Sequence, residues 1–190
     1  MPALFTADTH FGHGGALSLF RRPFPSVAAM DGALVKAWNA AVMPDDTVWH
    51  LGDFAVRPKP ERLADLLARL NGTKHLIVGN NDGEAARACA GWASTRDYAE
   101  ITDEATGRRL VLCHYPLRSW NGMHRGAVNL HGHSHGRLAP TMTRQFDVGV
   151  DVRDFRPVTL ATLLAGRRQA AAASGSWVNS SSGRRTPRSA

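Results

Sequence analysis

The chain has 190 residues, of which 43% are hydrophobic, and its formal net charge is +7. This length and composition favour one domain with a single sizeable core, and two cysteines without a CxxC spacing provide neither a disulfide framework nor a thiolate zinc site. No apolar run approaches the roughly 20 residues that span a bilayer, and MPALFTAD lacks signal-peptide features, so we expect a cytoplasmic protein without a membrane partner.

The first half of the chain alternates short apolar runs with polar loops and helical patterns. PALFTAD predicts a buried strand that ends at Asp8, followed by the Gly-rich loop THFGHGG. After the N-cap Ser26, helical spacing predicts an amphipathic helix that ends by Pro44. DTVWHLGD and KHLIVGNND predict two further strands, ending at Gly52-Asp53 and before residues 80–82, and ERLADLLARLNG predicts a helix between them.

Strand patterns dominate the second half. The segments YAEITD, RRLVLCH, AVNLHGH and QFDVGVDV predict strands, and PVTLATLLAG predicts a final short helix. Alternating strands and helices followed by several strands favour a layered α/β fold in which helices cover the sheets. Ligands of open α/β sheets bind beyond the carboxyl ends of the strands, so we expect the functional site there.

The C-terminal segment carries most of the net charge. Five basic residues and no acidic ones follow Gly166: Arg167, Arg168, Arg184, Arg185 and Arg188. Removing them leaves +2 on the rest of the chain. We therefore expect a domain over residues 1–166 and an Ala/Ser/Arg-rich tail over residues 167–190 whose composition favours disorder. The tail could contact nucleic acid weakly, but the nearly neutral domain favours a small substrate.

Polar side chains of metal-binding types follow the predicted strands. Imidazole suits zinc, iron and nickel, whereas carboxylate and amide oxygens suit manganese and magnesium, so a mixed set indicates transition metals. Seven candidates exceed what one tetrahedral ion can use, and two ions sharing the Asp53 carboxylate would distribute them sensibly. The candidates are Asp8, His10, Asp53, Asn80, His114, His133 and His135.

The segment NLHGHSHG contains three of the nine histidines of the chain. Residues two apart in an extended segment face the same side, which would direct His133 and His135 to the metals together. His131 shares that spacing, but Gly132 permits a bend, and we interpret His131 as a structural residue or as one that supports the ligands from behind.

Five ordered motifs together resemble those of the calcineurin-like metallophosphoesterase superfamily over roughly residues 4–165. They are DTH at Asp8, GD at Gly52, GNND at Gly79, CH at Cys113 and GHSH at Gly132. The resemblance implies a four-layer α/β/β/α sandwich of two mixed sheets flanked by helices, with a dinuclear metal site at the strand ends. It further implies phosphoester hydrolysis through a metal-bridging water or hydroxide that attacks phosphorus in line.

The resemblance also distributes the ligands between two divalent ions. Manganese is the expected metal, with iron, zinc, nickel or magnesium as alternatives. The first ion would be held by Asp8, His10, Asp53 and His135, and the second by Asp53, Asn80, His114 and His133.

The main departure from the family pattern is at Asn81, where many members have a histidine that protonates the leaving group or contacts phosphate. An amide can donate a hydrogen bond but cannot act as a general acid near neutral pH. Together with Asp82, Asn81 remains a candidate catalytic residue, and His13 could replace the missing acid. Asn81, Arg118 and His124 are candidate phosphate contacts.

Three functions remain open on this basis. Small prokaryotic phosphodiesterases of the family also replace this histidine, which favours a phosphodiesterase acting on a small nucleotide-type phosphodiester. A phosphomonoesterase acting on a small metabolite or nucleotide is the alternative, and a non-catalytic metal-bound docking module is a third interpretation. GDFAVRP departs from the GDxxDRG of Ser/Thr protein phosphatases, and the chain lacks the added domains of family nucleases, so we expect a minimal catalytic core.

Overall fold

The computed structural model describes residues 3–139 and 142–176, which form two β-sheets and the helices packed on them. The strands are β1 (Ala3–Thr6), β2 (Thr47–His50), β3 (Thr73–Ile77), β4 (Ser94–Arg96), β5 (Tyr98–Asp103), β6 (Arg108–Cys113), β7 (Val128–His131), β8 (Gln145–Asp147) and β9 (Val158–Thr159). The helices are α1 (Gly14–Leu19), α2 (Val27–Ala41), α3 (Pro60–Arg69), α4 (Glu84–Arg87) and α5 (Leu160–Ser176).

The first sheet has the strand order β4-β3-β2-β1-β9. Strands β1 to β4 are parallel to one another, and β9 pairs antiparallel with β1. Parallel order places the carboxyl ends of β1, β2 and β3 at the same edge of the sheet. The polar loops that follow these strands therefore begin side by side.

The second sheet has the order β5-β6-β7-β8, with β5 antiparallel to β6 and the other pairs parallel. An isolated parallel bridge between Ala7 and Gly149 links the segment after β1 to the segment after β8. The two mixed sheets and their flanking helices confirm the predicted fold class.

Alternating side chains of the first sheet enter two different apolar clusters. Leu4 and Val48 pack with α2 and α3 on the outer face of the sheet. Their neighbours Phe5 and Trp49 enter the cluster between the two sheets, where they meet Leu112 and other side chains of the second sheet. The strands are thus buried on both faces, which explains why they are almost continuously hydrophobic.

The outer face of the second sheet has a thinner cover than that of the first. A small cluster of Val111, Trp120 and Ala127 lies there. The segment between β6 and β7 supplies the cover through Trp120, whose Nε1 donates to the Ala127 carbonyl, and through a single 3₁₀ turn at Met123–Arg125.

Most of the strands and the long periodic helices were predicted, whereas the short helices were not. Ser26 caps α2 by accepting a hydrogen bond from the Ala29 amide, as predicted. The loop predicted after Asp8 contains the six-residue α1, and the segment after β8 turns into a 3₁₀ helix at Val150–Val152. Elements of this length carry too few periodic residues to be recognised from sequence.

The final helix is longer than the sequence indicated. Helix α5 continues to Ser176, past the domain boundary predicted at Gly166. The run of alanines after Gln169 has high helix propensity. The prediction of disorder used the overall composition of the tail and did not take this propensity into account. Residues 177–190, the rest of the predicted tail, lie outside the described residues. Of the described helices, none is long and apolar enough to cross a membrane. Cys89 and Cys113 are free thiols, each half-buried.

His50, at the end of β2, provides a test of how the fold depends on pH. The ring is fully buried beside Trp38, Phe54 and Trp92, and its Nε2 lies 3.0 Å from the Thr9 hydroxyl. Burial, followed by the nearby histidines, lowers the pKa of His50 from 6.5 to about 3. The unfolded chain therefore binds a proton below pH 6.5 that the folded chain does not, and stability falls as the pH falls.

Replacing His50 by Gln removes this titration and keeps an amide that can bond Thr9. Between pH 6.5 and 4.5, we expect the metal-free wild type to lose about 2 kcal/mol more unfolding free energy than the variant does. Urea unfolding at both pH values measures the difference, in which titrations of the other groups cancel. Equal losses in the two proteins would contradict a neutral His50.

Candidate metal centre

All five predicted motifs meet at the carboxyl ends of the strands. Asp8 follows β1, Asp53 follows β2 and Asn80 follows β3, so the first sheet contributes neighbouring loops. The second sheet contributes His114 after β6 and the segment of His133 and His135 after β7. Residues 125 positions apart are joined there, since the His133 amide donates to Asp8 Oδ1 at 3.1 Å.

The distances define two overlapping groups of ligand atoms. In the first, Asp8, His10 and His135 each offer an atom within 4.8 Å of the others, and in the second Asp8, Asp53 and His114 do so. Asp53 Oδ2 lies 3.6 Å from His10 Nε2 and 3.7 Å from His114 Nε2. The Asp53 carboxylate is therefore placed between a ligand of each predicted ion, as a bridging residue must be.

Asn80 and His133 complete the set on the side of His114. Asn80 Oδ1 lies 3.1 Å from His114 Nε2 and 3.0 Å from His133 Nδ1. The structure thus brings together all seven predicted ligands. His131 is buried at the end of β7, and its Nδ1 lies 2.8 Å from the Gly132 carbonyl. This contact is with backbone and not with a candidate ligand, which agrees with a structural role.

Five of the seven candidate ligands have a left-handed backbone conformation. Positive φ is uncommon outside glycine and tends to occur at functional sites, where surrounding contacts hold the strained residue in place. The residues and their φ angles are Asp8 (58°), His10 (51°), Asp53 (59°), His133 (65°) and His135 (47°).

The extended segment predicted around His133 and His135 is wrong. Strand β7 ends at His131, and both histidines have positive φ, with the Ser134 amide bonded to the Gly132 carbonyl at 2.7 Å. A tight turn, rather than strand alternation, directs the two imidazoles. The period-two spacing therefore identified two histidines that do lie at the centre, although the conformation assumed for them was incorrect.

Two glycines of the motifs allow the ligand loops to approach closely. A Cβ atom on Gly79 would lie 2.4 Å from Asp53 Oδ1, and one on Gly132 would lie 2.8 Å from Asp8 Oδ2. Both distances are shorter than real Cβ contacts. The glycines of GNND and GHSH are therefore required to let backbone pass directly over the two carboxylates.

Burial leaves the centre with polar atoms that need a partner. Asp8 Oδ2 and both ring nitrogens of His10 are buried without a hydrogen bond. Burial raises the pKa of Asp8 well above its usual value and lowers the pKa of His10 to about 3. A divalent cation binds neutral imidazole and ionised carboxylate, so a bound ion would replace the proton that burial favours on Asp8, and an unsatisfied buried polar atom costs about 1–3 kcal/mol. The residues therefore fit metal ions.

Asp82, a candidate catalytic residue, accepts hydrogen bonds from the backbone of both ligand loops. Its Oδ2 accepts the amides of Asp53 and Gly79, both at 2.8 Å, and its Oδ1 accepts the Phe54 amide at 2.9 Å. Burial raises the pKa of Asp82 to about 6 in spite of these bonds. Both oxygens are occupied by backbone, so the residue fastens the GNND loop to the GD loop.

The structure places Asn81 directly against the Asp53 carboxylate, the candidate bridge between the ions. Its amide Nδ2 donates to Asp53 Oδ2 at 2.6 Å, and its backbone amide donates to Asp53 Oδ1 at 2.8 Å. The side chain is otherwise exposed. Asn81 is therefore at the centre, as predicted, and its visible interaction is with Asp53.

The three other candidates differ in position. The His13 ring lies 5.4 Å from the His10 ring, centroid to centroid, and its buried Nδ1 has no hydrogen-bond partner. Arg118 and His124 are exposed on the segment between β6 and β7, and neither bonds to a candidate ligand among the described residues. The structure brings His13 to the centre but provides no such support for Arg118 and His124.

Sequence reasoning missed Arg22 and Asp151, which connect two ligand loops. Arg22 Nε and Nη2 donate to the Asp151 carboxylate at 2.8 and 2.9 Å. The same guanidinium donates to the carbonyls of Asp8 and Thr9 at 2.6 and 2.8 Å. Asp151 Oδ2 in turn lies 2.7 Å from His135 Nδ1. Two positive-φ ligands, Asp8 and His135, are thereby held by one buried ion pair.

This network also fixes the orientation of His135. Burial raises the pKa of Asp151, but bonds from His135 and Arg22 outweigh it and hold the pKa below its usual value. A charged Asp151 keeps the His135 proton on Nδ1 and leaves Nε2 for a metal. Phe20 stacks on the imidazole at 3.5 Å between centroids. The available sequence signal was the arginine pair Arg21-Arg22, which is flanked by apolar residues in FRRPF.

Comparisons with known proteins agree with this geometry. A model of the calcineurin-like phosphoesterase superfamily domain matches residues 1–150. An uncharacterized protein of Methanocaldococcus jannaschii is 31% identical over 81% of this chain and 84% of its own, and the Gene 66 protein of Mycobacterium phage L5 is 29% identical over 77% and 85%. A crystal structure of a protein of unknown function from Aquifex aeolicus has the same fold, with a TM-score of 0.68, 22% identity, and coverage of 85% of this chain and 97% of its own.

Proposed function

The chain belongs to the calcineurin-like phosphoesterase superfamily, and from that membership we propose that it is a phosphodiesterase acting on a small nucleotide-type phosphodiester. Membership supports metal-dependent phosphoester hydrolysis, typically with two divalent ions. The observation that carries the finer proposal is a complete ligand set beside an amide at position 81. Manganese as the metal and a cytoplasmic location are part of the same proposal.

The residues of the chain divide the work of such a reaction. When bound, two divalent ions supply an activated water and neutralise charge on the phosphoryl oxygens. Asp53 and the candidate imidazoles would hold the ions, and the buried ligand loops exclude bulk water around Asp8 and His10. The complete set argues against a docking module without catalysis, because such a protein has no need to retain seven ligands at one point.

Asn81 supports a diester more than a monoester. Its amide can donate a hydrogen bond, and in the structure it donates to Asp53, but it cannot release a proton near neutral pH. Substrates with good leaving groups lose least when no acid is present at this position. Arg22, the buried cation behind the centre, directs its donors at Asp151 and backbone carbonyls and is not free to bind a dianionic phosphate.

A phosphomonoesterase remains the second candidate because of His13. Its ring lies beside His10, and the unpartnered Nδ1 is a group that could carry a proton to a leaving oxygen. If His13 replaces the missing acid, hydrolysis of monoesters should depend on it. The two candidates therefore differ in the effect of changing His13 and in the effect of restoring histidine at position 81.

Turnover of a matched ester pair tests the proposal. With manganese, we expect the wild type to hydrolyse bis(p-nitrophenyl) phosphate faster than p-nitrophenyl phosphate. Asn81→His should leave p-nitrophenyl phosphate turnover nearly unchanged but raise hydrolysis of a monoester with a poor alkoxide leaving group, such as glycerol 2-phosphate, about tenfold to a hundredfold, because a positioned general acid typically contributes 10²–10⁴-fold. His13→Ala should leave diester turnover within about twofold.

The matched control is His75→Gln, a histidine within β3 whose Nδ1 lies 2.7 Å from the Ser94 hydroxyl and which is not a candidate site residue. It should change neither rate. A wild type that prefers the monoester, together with loss of that activity in His13→Ala, would replace the phosphodiesterase by the second candidate. No hydrolysis of either ester with any divalent metal would reject both.

A further inference from the structure

A cavity of about 350 Å³ opens beside the second group of ligands. One wall is the GNND loop, with Gly79, Asn80 and Asp82. The other wall is formed by Arg87, Asp97, Cys113 and Tyr115. Because Asn80 is a candidate ligand, a phosphate held at the metals would have its substituent at the mouth of this cavity.

Tyr115 presents an aromatic ring at this position. The residue is 45% exposed, although its ring packs edge-on against two candidate ligands. The ring centroids lie 5.0 Å from His114 and 4.7 Å from His133, with interplanar angles of 73° and 65°. The imidazoles therefore fix the plane of Tyr115. Among the described residues its hydroxyl has no hydrogen-bond partner, so packing against the ligands, rather than the hydroxyl, orients the ring.

Arg87 and Asp97 provide polar groups in the same cavity. Arg87 Nη1 lies 3.3 Å from Asp97 Oδ1, and Arg87 Nε donates to the Asp82 carbonyl at 3.3 Å. Both side chains of this ion pair remain substantially exposed to solvent. The pair offers donors and acceptors together and is close to neutral, so it suits an uncharged group with both kinds of atom on its edge better than it suits a second phosphate.

We infer that this cavity binds a heteroaromatic base of the substrate, stacked on Tyr115 with its polar edge toward Arg87 and Asp97. Stacking on an exposed aromatic ring is tolerant of base identity, and edge contacts add selectivity. The inference rests on the proposed function, because the phosphate at the metals positions the base. It makes Tyr115 a residue that determines substrate specificity and takes no part in bond cleavage.

Two diesters with the same leaving group isolate the contribution of the base. Thymidine 5′-(p-nitrophenyl phosphate) carries a base, and its abasic counterpart, 1,2-dideoxyribose 5-(p-nitrophenyl phosphate), keeps the sugar but lacks the base. With the manganese-loaded protein, KM for the thymidine ester should be at least about tenfold lower. Tyr115→Ala should remove this difference by raising KM for the thymidine ester alone, whereas Tyr115→Phe should preserve it.

Tyr98→Ala is the matched control, because the other tyrosine of the chain is similarly exposed, at 42%, and bonds Glu100 outside the cavity. It should leave both KM values unchanged. Equal KM values in the wild type, or equal effects of Tyr115→Ala on both esters, would overturn the inference while leaving the proposed diester hydrolysis intact.

Binding without turnover separates failure of the inference from failure of the proposed function. Adenosine 5′-monophosphate and ribose 5-phosphate share a phosphate and a sugar and differ in the base. In calorimetric titrations of the manganese-loaded protein, the first should bind at least about tenfold more tightly, and Tyr115→Ala should abolish the difference. Equal affinities would overturn the inference even if neither diester were hydrolysed.

Discussion

Asp53→Asn is expected to reduce bound manganese from two ions per chain to one or none. Asn keeps the shape of the side chain, but its amide nitrogen cannot bind a cation and its negative charge is gone. Asp53 Oδ2 lies between His10 Nε2 and His114 Nε2, so both ions lose the shared ligand. If about 4 kcal/mol of transition-state stabilisation is lost, turnover falls about a thousandfold.

Metal content after desalting, measured by elemental analysis, checks the first effect independently of activity. The thermal midpoint gives a second measurement, because a ligand at 100 times its Kd stabilises a protein by about 2.7 kcal/mol. Manganese should raise the midpoint of the wild type and raise that of Asp53→Asn much less. Asp45→Asn, at an exposed position, should behave as the wild type does. Two tightly bound ions in Asp53→Asn would reject the bridging role.

The ligand set could be predicted because each ligand follows a recognisable strand. Apolar runs define β1, β2 and β3, and the first polar residues beyond them, such as Asp8, Asp53 and Asn80, must lie at one edge if the strands are parallel. Position along the chain was sufficient for these residues. Local conformation was not, as the left-handed His133 and His135 show, since alternation assumes an extended backbone.

Residues that act through tertiary contacts could not be predicted in this way. Arg22 and Asp151 are 129 positions apart, and nothing in the local sequence of either indicates the other. The stacking of Phe20 on His135 depends on α1, a helix of six residues. Asp82 resembled a catalytic carboxylate by its motif, but its partners are backbone amides that only the folded loops bring together.

The cavity beside Tyr115 illustrates a different limit of the sequence. CHYP contains the ligand His114, and the aromatic residue after it could equally have been part of the core. Only its burial in the folded chain distinguishes a core residue from one at the surface. Tyr115 is exposed, whereas Trp120 on the same segment is buried. The candidate metal ligands could thus be predicted from their order along the chain and their chemistry, whereas the residues that would contact substrate depend on the folded surface.

Asp151→Ala is expected to weaken the metal ion at His135 by about ten- to a hundredfold, the usual cost of losing a carboxylate behind a ligating histidine. The variant frees the His135 tautomer and leaves Arg22 buried without its anion, so it should also lower the unfolding free energy by about 3–5 kcal/mol. Asp151→Asn keeps one acceptor for His135 and should recover part of the affinity. Calorimetric manganese titration resolves the two ions, and the ion at His133 and Asn80 should change less.

The control for this prediction is Asp154→Asn, three residues further along the chain, which removes the charge of an exposed ion pair with Arg156 and keeps a residue type that tolerates the left-handed backbone there. Exposed pairs contribute about 0–1 kcal/mol, so its stability and both metal affinities should match those of the wild type. If Asp151→Ala is less stable but binds both ions normally, Asp151 stabilises the fold and does not position a metal ligand. Weaker binding of the ion at His135, with partial rescue by Asp151→Asn, would show that Asp151 positions the ligand. A general loss of packing would weaken both ions alike.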